Sequence, residues 1–564
     1  MANSARIAAT KIGRRALLRA PAAMSGALGI ATEAPRATRA AAQVGPGEDL
    51  VLINGRVHTL DAGQSIAQEM RISGGRVVAV GRRVDRSHAT VFDLDGRAAY
   101  PGLIDNHVHM LRLAFLPGYT VRGLERTFTV SAACAAITRQ ARQAPPGSLL
   151  TLLGAVARRQ FVERRFPTRS ELDRAAPNHL VYLSESGSGP GQTNSACRQH
   201  LRRLGVAVAD SGEVPAGPLT DLAYSKLSGH NTPDHACRQL LDEASYAQRL
   251  GLTTVMDMSG TVPGLGYLDP VTGYEPYLTL VRQQRLSLRT RIFLPGRDDD
   301  LELGSLRDVL DNHWREVNID SDLHRVVGVG EWACGRQAFK DLTGPVNRAA
   351  TAEIARRIGD QPEDGWIYHQ HAISADEIRQ TLDLWDEVNR TYPLRGRRWS
   401  LGHLDGIDPT LIRRANRLGI GLGVHPWQYL TGDSLPPART ILDTATVPVG
   451  GGSDGARISC LSPWSMIYAL VTGRNSAGEM VNPGQTISRL EALTLYAGPQ
   501  QGFFSREEGR LGGLQVGGYG DLIVPSADVL DATETPDPRI RDIYSDLTVI
   551  GGSVVHDTGT IRRW

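Results

Sequence analysis

Two histidines, His107 and His109, close the run Tyr100-Pro101-Gly102-Leu103-Ile104-Asp105-Asn106-His107-Val108-His109. In an extended strand the side-chain period is two, so residues i and i+2 leave one face. Two neutral imidazoles on one face suit a divalent transition metal, zinc above all. Three later runs end in the same kind of residue. Ile367-Tyr368-His369-Gln370-His371-Ala372-Ile373-Ser374 leads into a helical pattern with Ser374 as its N-cap. His371, nearer the strand end, is the candidate ligand there, and His369, one layer deeper, reads as a hydrogen-bonded core histidine. Trp399-Ser400-Leu401-Gly402-His403 supplies a third site, and Val447 to Gly452 runs into Ser453-Asp454. A carboxylate at that last position can bind a metal and serve as base toward water that the metal activates. His425, in Gly423-Val424-His425-Pro426-Trp427, follows a further strand and is a candidate substrate contact.

Strand ends can only gather in one place if the strands share a sheet. Between residues 101 and 505, β-like runs alternate with helical ones, which argues a parallel sheet closed by helices. Candidate strands are Leu149–Leu153, Leu180–Leu183, Thr253–Met258, Thr290–Phe293, Val326–Gly330, Trp366–His371, Trp399–His403, Gly419–Val424 and Val447–Gly452. Helical patterns cover Asp234–Leu250, Ala350–Ile358, Ser374–Tyr392 and Pro409–Leu418. Their number and order predict an α/β chain, a (β/α)8 TIM barrel whose C-terminal strand ends carry the chemistry. Residues 43–100 and 506–564 hold short β-runs that cannot bury both faces alone, and together they predict one small β-sandwich built from both chain ends. Asn54-Gly55 and Gly74-Gly75 each read as a hairpin turn between apolar runs.

Composition narrows the function. The formal charge is +2 over 564 residues, which gives no electrostatic footprint for nucleic acid. The five cysteines lie far apart without a CxxC, so neither a thiolate zinc site nor a disulfide framework is readable. No apolar run is long enough to span a membrane. Residues 1–42 contain Gly13-Arg14-Arg15-Ala16-Leu17-Leu18, an alanine-rich run and Ala40-Ala41-Ala42, the pattern of a twin-arginine export signal. The expected location is periplasmic or extracellular, or cytoplasmic if the leader is a mere basic arm. Gly451-Gly452-Ser453-Asp454-Gly455 also spells a nucleophile elbow. A serine triad would need His556, which the sandwich reading puts far from the barrel mouth.

Four successive strand-end sites in the order HxH, His, His, Asp resemble the amidohydrolase superfamily. The similarity extends from "LVLINGRVHTLD" near Asp49 through "AAYPGLIDNHVHM", "IYHQHAIS", "SLGHLDGIDP" and "VPVGGGSDG" to "GDLIVPSADVL", and it is strongest to the amidohydrolase-3 branch, which includes N-substituted formamide deformylase. The resemblance implies a (β/α)8 barrel, one or two divalent metals and hydrolysis of C–N bonds. It maps His107 and His109 to the first barrel strand, His371 to the fifth, His403 to the sixth and Asp454 to the eighth. One position departs from it. The branch commonly bridges two metals with a carboxylated lysine on the fourth strand, but Val327 to Gly335 contains none, and lysine occurs only at Lys11, Lys226 and Lys340. Glu331, at that strand end, can supply the carboxylate. Alternatively Gly330 occupies the ligand position, Glu331 faces away and one metal is held.

The expected enzyme is a metal-dependent hydrolase of an amide, formamide or cyclic amide. Asp454 shuttles the proton, and His403 is either a ligand or a group polarising the carbonyl. The same site could instead deaminate, cleave an ester or decarboxylate, and a metal-free barrel acting as a binding scaffold is the alternative outside enzymes. The partner is a small-molecule substrate, and homo-oligomerisation is left open. Loops Glu185–Gln192, Gly260–Tyr274, Ala333–Val346 and Trp427–Pro437 are expected to line its pocket, with Arg336, Trp427 and Tyr429 as candidate grips.

Overall fold

The computed structural model describes residues 48–185, 189–229, 232–258, 261–262, 266–267, 274–294, 321–331, 345–362, 365–455 and 459–564. The leader, Cys334, Arg336, Lys340 and most of the loops Gly260–Tyr274 and Ala333–Val346 lie outside the described residues.

Eight strands form one parallel sheet. In chain order they are β1 (Leu103–Val108), β2 (Leu252–Asp257), β3 (Arg289–Leu294), β4 (His324–Val329), β5 (Ile367–Ala372), β6 (Ser400–His403), β7 (Gly421–Val424) and β8 (Val449–Gly451). The sheet closes on itself. Asp454 N–H donates to the His107 carbonyl at 2.8 Å, His109 N–H donates to the Gly455 carbonyl at 3.1 Å, and Val108 bridges Gly455. Local signals place the helices between them. Pro233–Arg249 starts with Thr232 as N-cap and proline in its first turn, Ala375–Asn389 opens on a Ser374/Glu377 capping box, and Pro409–Leu418 runs from an Asp408 cap to a left-handed Gly419.

Inside the barrel, Ile104, Met256, Phe293, Val327 and Ile367 from β1 to β5 form one apolar layer. On β5 the period-two rule then sends His369 and His371 inward above Ile367. Tyr368, facing outward, packs against Trp385 and Trp399 with ring centroids 5.3 and 5.2 Å away. β1 reaches the same end by an irregular route. Its register against β2 advances from Asp105↔Val255 to Val108↔Asp257, three residues against two. That bulge lets Asn106 and His107 both make contacts within the barrel.

Both ends of the chain build two further sheets. One contains Asp49–Ile53, Glu69–Ser73, Arg76–Gly81, Ala89–Asp93 and Arg562–Arg563. The other contains Arg56–His58, Ile66–Ala67, Ala98–Pro101, Leu522–Pro525, Ser545–Ile550 and Ser553–Asp557. They share one core, in which Leu50, Leu52 and Phe92 of the first sheet meet Leu522, Val524 and Val549 of the second. Gly74-Gly75 makes the expected hairpin. Asn54-Gly55 does not: the strands it joins lie in different sheets, so the pair is a corner. Asn54 is left-handed at φ 54°, and Gly55 is pressed against Leu94.

A second correction concerns Leu149–Leu153 and Leu180–Ser184. They pair in parallel, but in a separate sheet with Tyr119–Thr120, Gly191–Thr193 and Glu213–Val214, inserted between β1 and β2. One face of this sheet, Leu150, Leu152, Val181 and Leu183, packs on its own helices through Ile137 and Leu172, while Leu153 and Tyr182 on the other face join the main core.

Candidate metal centre

At the C-terminal rim of the barrel, Glu331 lies at the centre of four imidazoles. Its Oε2 is 2.6 Å from His371 Nδ1, 3.3 Å from His403 Nε2 and 3.3 Å from His107 Nε2. Its Oε1 is 3.2 Å from His109 Nε2. Asp454 Oδ1 approaches from the other side, 3.0 Å from His109 Nε2 and 3.7 Å from His107 Nε2. Two donor groups therefore share one carboxylate: His107, His109 and Glu331, beside which Asp454 sits, and Glu331, His371 and His403. Donors around one tetrahedral zinc, each roughly 2.0–2.1 Å from the ion, lie about 3.3 Å from one another. Most of these separations fall close to that value. His107 Nε2, wholly buried, makes no well-aligned hydrogen bond among the described residues. An imidazole nitrogen left in that state, among two carboxylates, fits a cation.

Electrostatics agree with the donor set. Burial works against ionisation of Glu331, but His371, His109 and His107 overcome it and hold the carboxyl well below its usual range. Asp454 is likewise held low against its burial, by His109 and His403. Burial opposes charge on His109, yet the two carboxylates push it up to about 10. His403 is also raised against its burial, through Glu331 and Asp454. Burial lowers His107 to about 4, and burial with the neighbouring His403 lowers His371. The buried carboxylates and the imidazoles around them thus favour one another's charged forms, an environment in which a divalent cation can take the place of protons.

The backbone holds this rim in uncommon conformations. His403 and Asp454 sit at φ 75° and 53°, a region that costs a non-glycine residue of order 1–3 kcal/mol. Each is pinned through its amide. His425 Nδ1 accepts the His403 N–H at 3.0 Å, and the His107 carbonyl accepts that of Asp454 at 2.8 Å. Asp105 supports the seam between β1 and β8 by accepting the N–H groups of His107 and Ser453 at 3.1 and 2.9 Å, together with the Ser453 hydroxyl.

The structure thus brings His107, His109, Glu331, His371, His403 and Asp454 to one point, with Glu331 turned inward rather than away. His369 is the buried, hydrogen-bonded histidine expected one layer down; it lies against His107 and Ser400. His425 is fully buried, and both its ring nitrogens have protein partners, His403 N–H and Asn106 Oδ1. Substrate contact through that ring therefore has no free ring atom to use. Tyr429 is wholly buried too, with its ring edge-on to Tyr468 at 6.3 Å. Trp427 remains at the rim, 6.0 Å from the His403 ring, with its indole N–H on Asp405 at 3.0 Å. Ser453 donates to Asp105, and His556 pairs with Thr548 in a terminal sheet, so the elbow has no triad. Sequence reading passed over Asn106 and Asp105, which stand inside the quoted first-strand motif. It also passed over Gly402 and Gly423, and Gly452 one residue past β8; glycine in or at the end of a strand is the signal of a close approach.

Comparison with known proteins identifies the set. A model described as "Amidohydrolase family" matches residues 90–556. N-substituted formamide deformylase of Arthrobacter pascens is 32% identical over 545 residues, covering 89% of this chain and 97% of that protein. Protein LONG AFTER FAR-RED 3 of Arabidopsis thaliana is 23% identical over 429 residues, 70% of each chain. Two solved structures share the fold. An uncharacterised metal-dependent hydrolase from Pyrococcus furiosus superposes with a TM-score of 0.56 at 18% identity, over 86% of this chain and 100% of that one. Atrazine chlorohydrolase from Arthrobacter aurescens TC1, complexed with zinc, gives 0.52 at 14% identity, over 90% and 95%. The chain belongs to the amidohydrolase family, and is a metal-dependent hydrolase acting on carbon–nitrogen bonds.

Proposed function

We propose that the enzyme hydrolyses an open-chain amide, N-substituted formamides first among them, with two divalent cations, zinc, held by His107, His109, Glu331, His371, His403 and Asp454. The observation that carries the two-cation reading is the position of Glu331, whose carboxylate is shared by both donor groups. A lysine-borne carbamate is absent from this strand, and a glutamate in its place supplies the same single negative charge between two donor triads. The formamide reading is supported by the Arthrobacter pascens relative, which matches nearly end to end.

When bound, the cations supply Lewis-acid polarisation of the scissile carbonyl and a lowered pKa for the attacking water. The protein's own groups do the rest. His371 and Asp454 are the members of the set with appreciable exposure, 12% and 11% for their side chains against 3% or less for Glu331, His107, His109 and His403. Substrate therefore approaches from their side. Asp454 takes a proton from the attacking water as its oxygen bonds to the carbonyl carbon. It returns that proton to the nitrogen as the C–N bond breaks, so one amide and one water give one carboxylic acid and one amine. Trp427, beside His403, forms the apolar wall for the nitrogen substituent.

The test is amine release by zinc-loaded protein from N-substituted formamides, longer N-acyl amines and cyclic amides. Asp454→Asn should retain bound zinc and lose roughly 10²–10⁴-fold in kcat. Release of no amine from any of these substrates, or full activity of Asp454→Asn, would refute the proposal.

A further inference from the structure

The interior of a (β/α)8 barrel is ordinarily filled by layers of branched apolar side chains. Directly beneath the candidate ligands this barrel holds instead a layer of His369, His425 and Asn106, all at most 1% exposed. Space for it is cut by glycines on β6 and β7 and just past the end of β8. A Cβ at Gly402 would fall 2.6 Å from His369 Nε2 and 2.9 Å from His425 Cε1. One at Gly423 would fall 2.8 Å from His425 Nε2, and one at Gly452 would fall 2.6 Å from Asn106 Oδ1. Burying polar groups in place of leucine or phenylalanine costs stability unless each finds a partner. Two of the partners found here are candidate ligands, His107 for His369 and the His403 amide for His425; Ser400 and Asn106 take the remaining ring nitrogens.

Proton positions follow from the donors. A backbone amide can only donate, so His403 N–H makes His425 Nδ1 an acceptor, and the neutral ring carries its proton on Nε2, which donates to Asn106 Oδ1 at 3.0 Å. His107 Nδ1 lies 2.9 Å from His369 Nε2, and His369 Nδ1 lies 2.8 Å from Ser400 Oγ. For His107 to present a lone pair at Nε2, its proton must reside on Nδ1 and be accepted by His369 Nε2. His369 then carries its own proton on Nδ1, where Ser400 Oγ accepts it.

We propose that His369 is a positioning residue which accepts the Nδ1 proton of His107 and thereby keeps the Nε2 lone pair of His107 turned toward the cation site. The inference rests on the two-cation reading above. It assigns to a neutral imidazole a task more often given to a carboxylate or a backbone carbonyl. His369 is not a ligand in this arrangement, because its one lone pair is spent on His107.

The experiment measures zinc affinity by competition with a chelator, with full-length wild type, His369→Leu, His369→Gln and His369→Asn, alongside urea unfolding of each apoprotein. Gln can set an amide oxygen near the position of Nε2, whereas Asn sets it near Nδ1 and Leu supplies no acceptor. The expected result is a loss of roughly 10–100-fold in affinity for one zinc equivalent in His369→Leu. The apoprotein should still unfold cooperatively in urea, and most of the affinity should return in His369→Gln. Should the leucine variant fail to fold, the amide pair decides, with Gln expected to bind zinc more tightly than Asn. Equal zinc affinity in wild type and His369→Leu would overturn the inference alone, as would equal affinity in the Gln and Asn variants. A wild type that binds no zinc would overturn this inference and the two-cation reading together.

Discussion

Gly402→Ala isolates the glycine-cut layer from the ligands above it. The added methyl would sit 2.6 Å from His369 Nε2 and 2.9 Å from His425 Cε1, where ordinary contact needs about 3.5 Å. Both rings must therefore give way, His369 by roughly 0.9 Å and His425 by roughly 0.6 Å. Neither can do so freely, since His369 is held by His107 and Ser400, and His425 by His403 and Asn106. Overpacking of this kind costs about 1–3 kcal/mol, and one strained or broken hydrogen bond adds about 0.5–1.5 kcal/mol. The expected penalty is roughly 2–4 kcal/mol in the stability of the barrel, read as a lowered urea midpoint by tryptophan fluorescence. Because a ring that shifts takes His107 or His403 with it, zinc affinity should fall in the same variant. Gly123→Ala is the control, since its methyl would meet nothing nearer than Ala136 Cβ at 3.8 Å. A Gly402→Ala protein within 0.5 kcal/mol of the control (about the scatter of a neutral surface substitution), with zinc affinity unchanged, would refute the packing account of the layer.

Glu331→Gln removes the shared negative charge while keeping the shape. It should lower the zinc content, measured by atomic emission, from two equivalents toward one, and retention of both would exclude the bridging role. Away from the rim, Arg291 and Glu507 form a buried bidentate pair at 2.6 and 2.8 Å. Burial would raise the Glu507 carboxyl, but Arg291, Tyr519 and Ser505 bring it from 4.5 down to about 2. A depressed carboxyl contributes stability above its ordinary pKa and loses it as pH falls toward the folded value. The pair should therefore contribute roughly 3 kcal/mol at neutral pH that fades between about pH 5 and pH 2. Glu507→Gln, which strands Arg291, should cost about 3–5 kcal/mol at pH 7 by urea unfolding, and the gap to wild type should narrow on acidification. A gap constant with pH would contradict that assignment. Finally, residues 1–42 fused to a folded reporter should direct its export, and lysines in place of Arg14 and Arg15 should stop it; a reporter retained in the cytoplasm would refute the leader reading.

The fold was legible wherever the local pattern has a single structural reading. All nine candidate strand runs and all four helical patterns are present within a few residues of their expected limits, since long apolar stretches bounded by caps and glycines admit few alternatives. What local pattern does not carry is membership of a sheet. Leu149–Leu153 and Leu180–Ser184 are buried parallel strands with helices between them, which along the chain is indistinguishable from two more barrel units. Only the pairing decides the matter: these strands hydrogen-bond to Tyr119–Thr120 and Gly191–Thr193, and to none of the eight barrel strands. The same holds for Asn54-Gly55, where a positive φ serves a corner as well as a hairpin.

The site shows a different division. His371 and His403 follow from strand ends, and Asp454 from the run before it. His107 was read as inward by period two, but the bulge in β1 brings it there, along with Asn106. The correct residue therefore follows from a rule that the strand itself breaks. Glu331 was accessible only through chemistry, as a charge with no structural reason to stand at a rim, and its side chain now lies within 3.3 Å of all four imidazoles. The layer beneath stayed hidden for a physical reason: its defining residues, Gly402, Gly423 and Gly452, act by what they lack. A side chain announces its chemistry in the sequence, whereas a missing one gains meaning only when three strands place the gaps side by side around two imidazoles. A barrel that fills this level with glycine and histidine instead of valine and leucine gives up packing, and the orientation of His107 and His403 is what that loss secures.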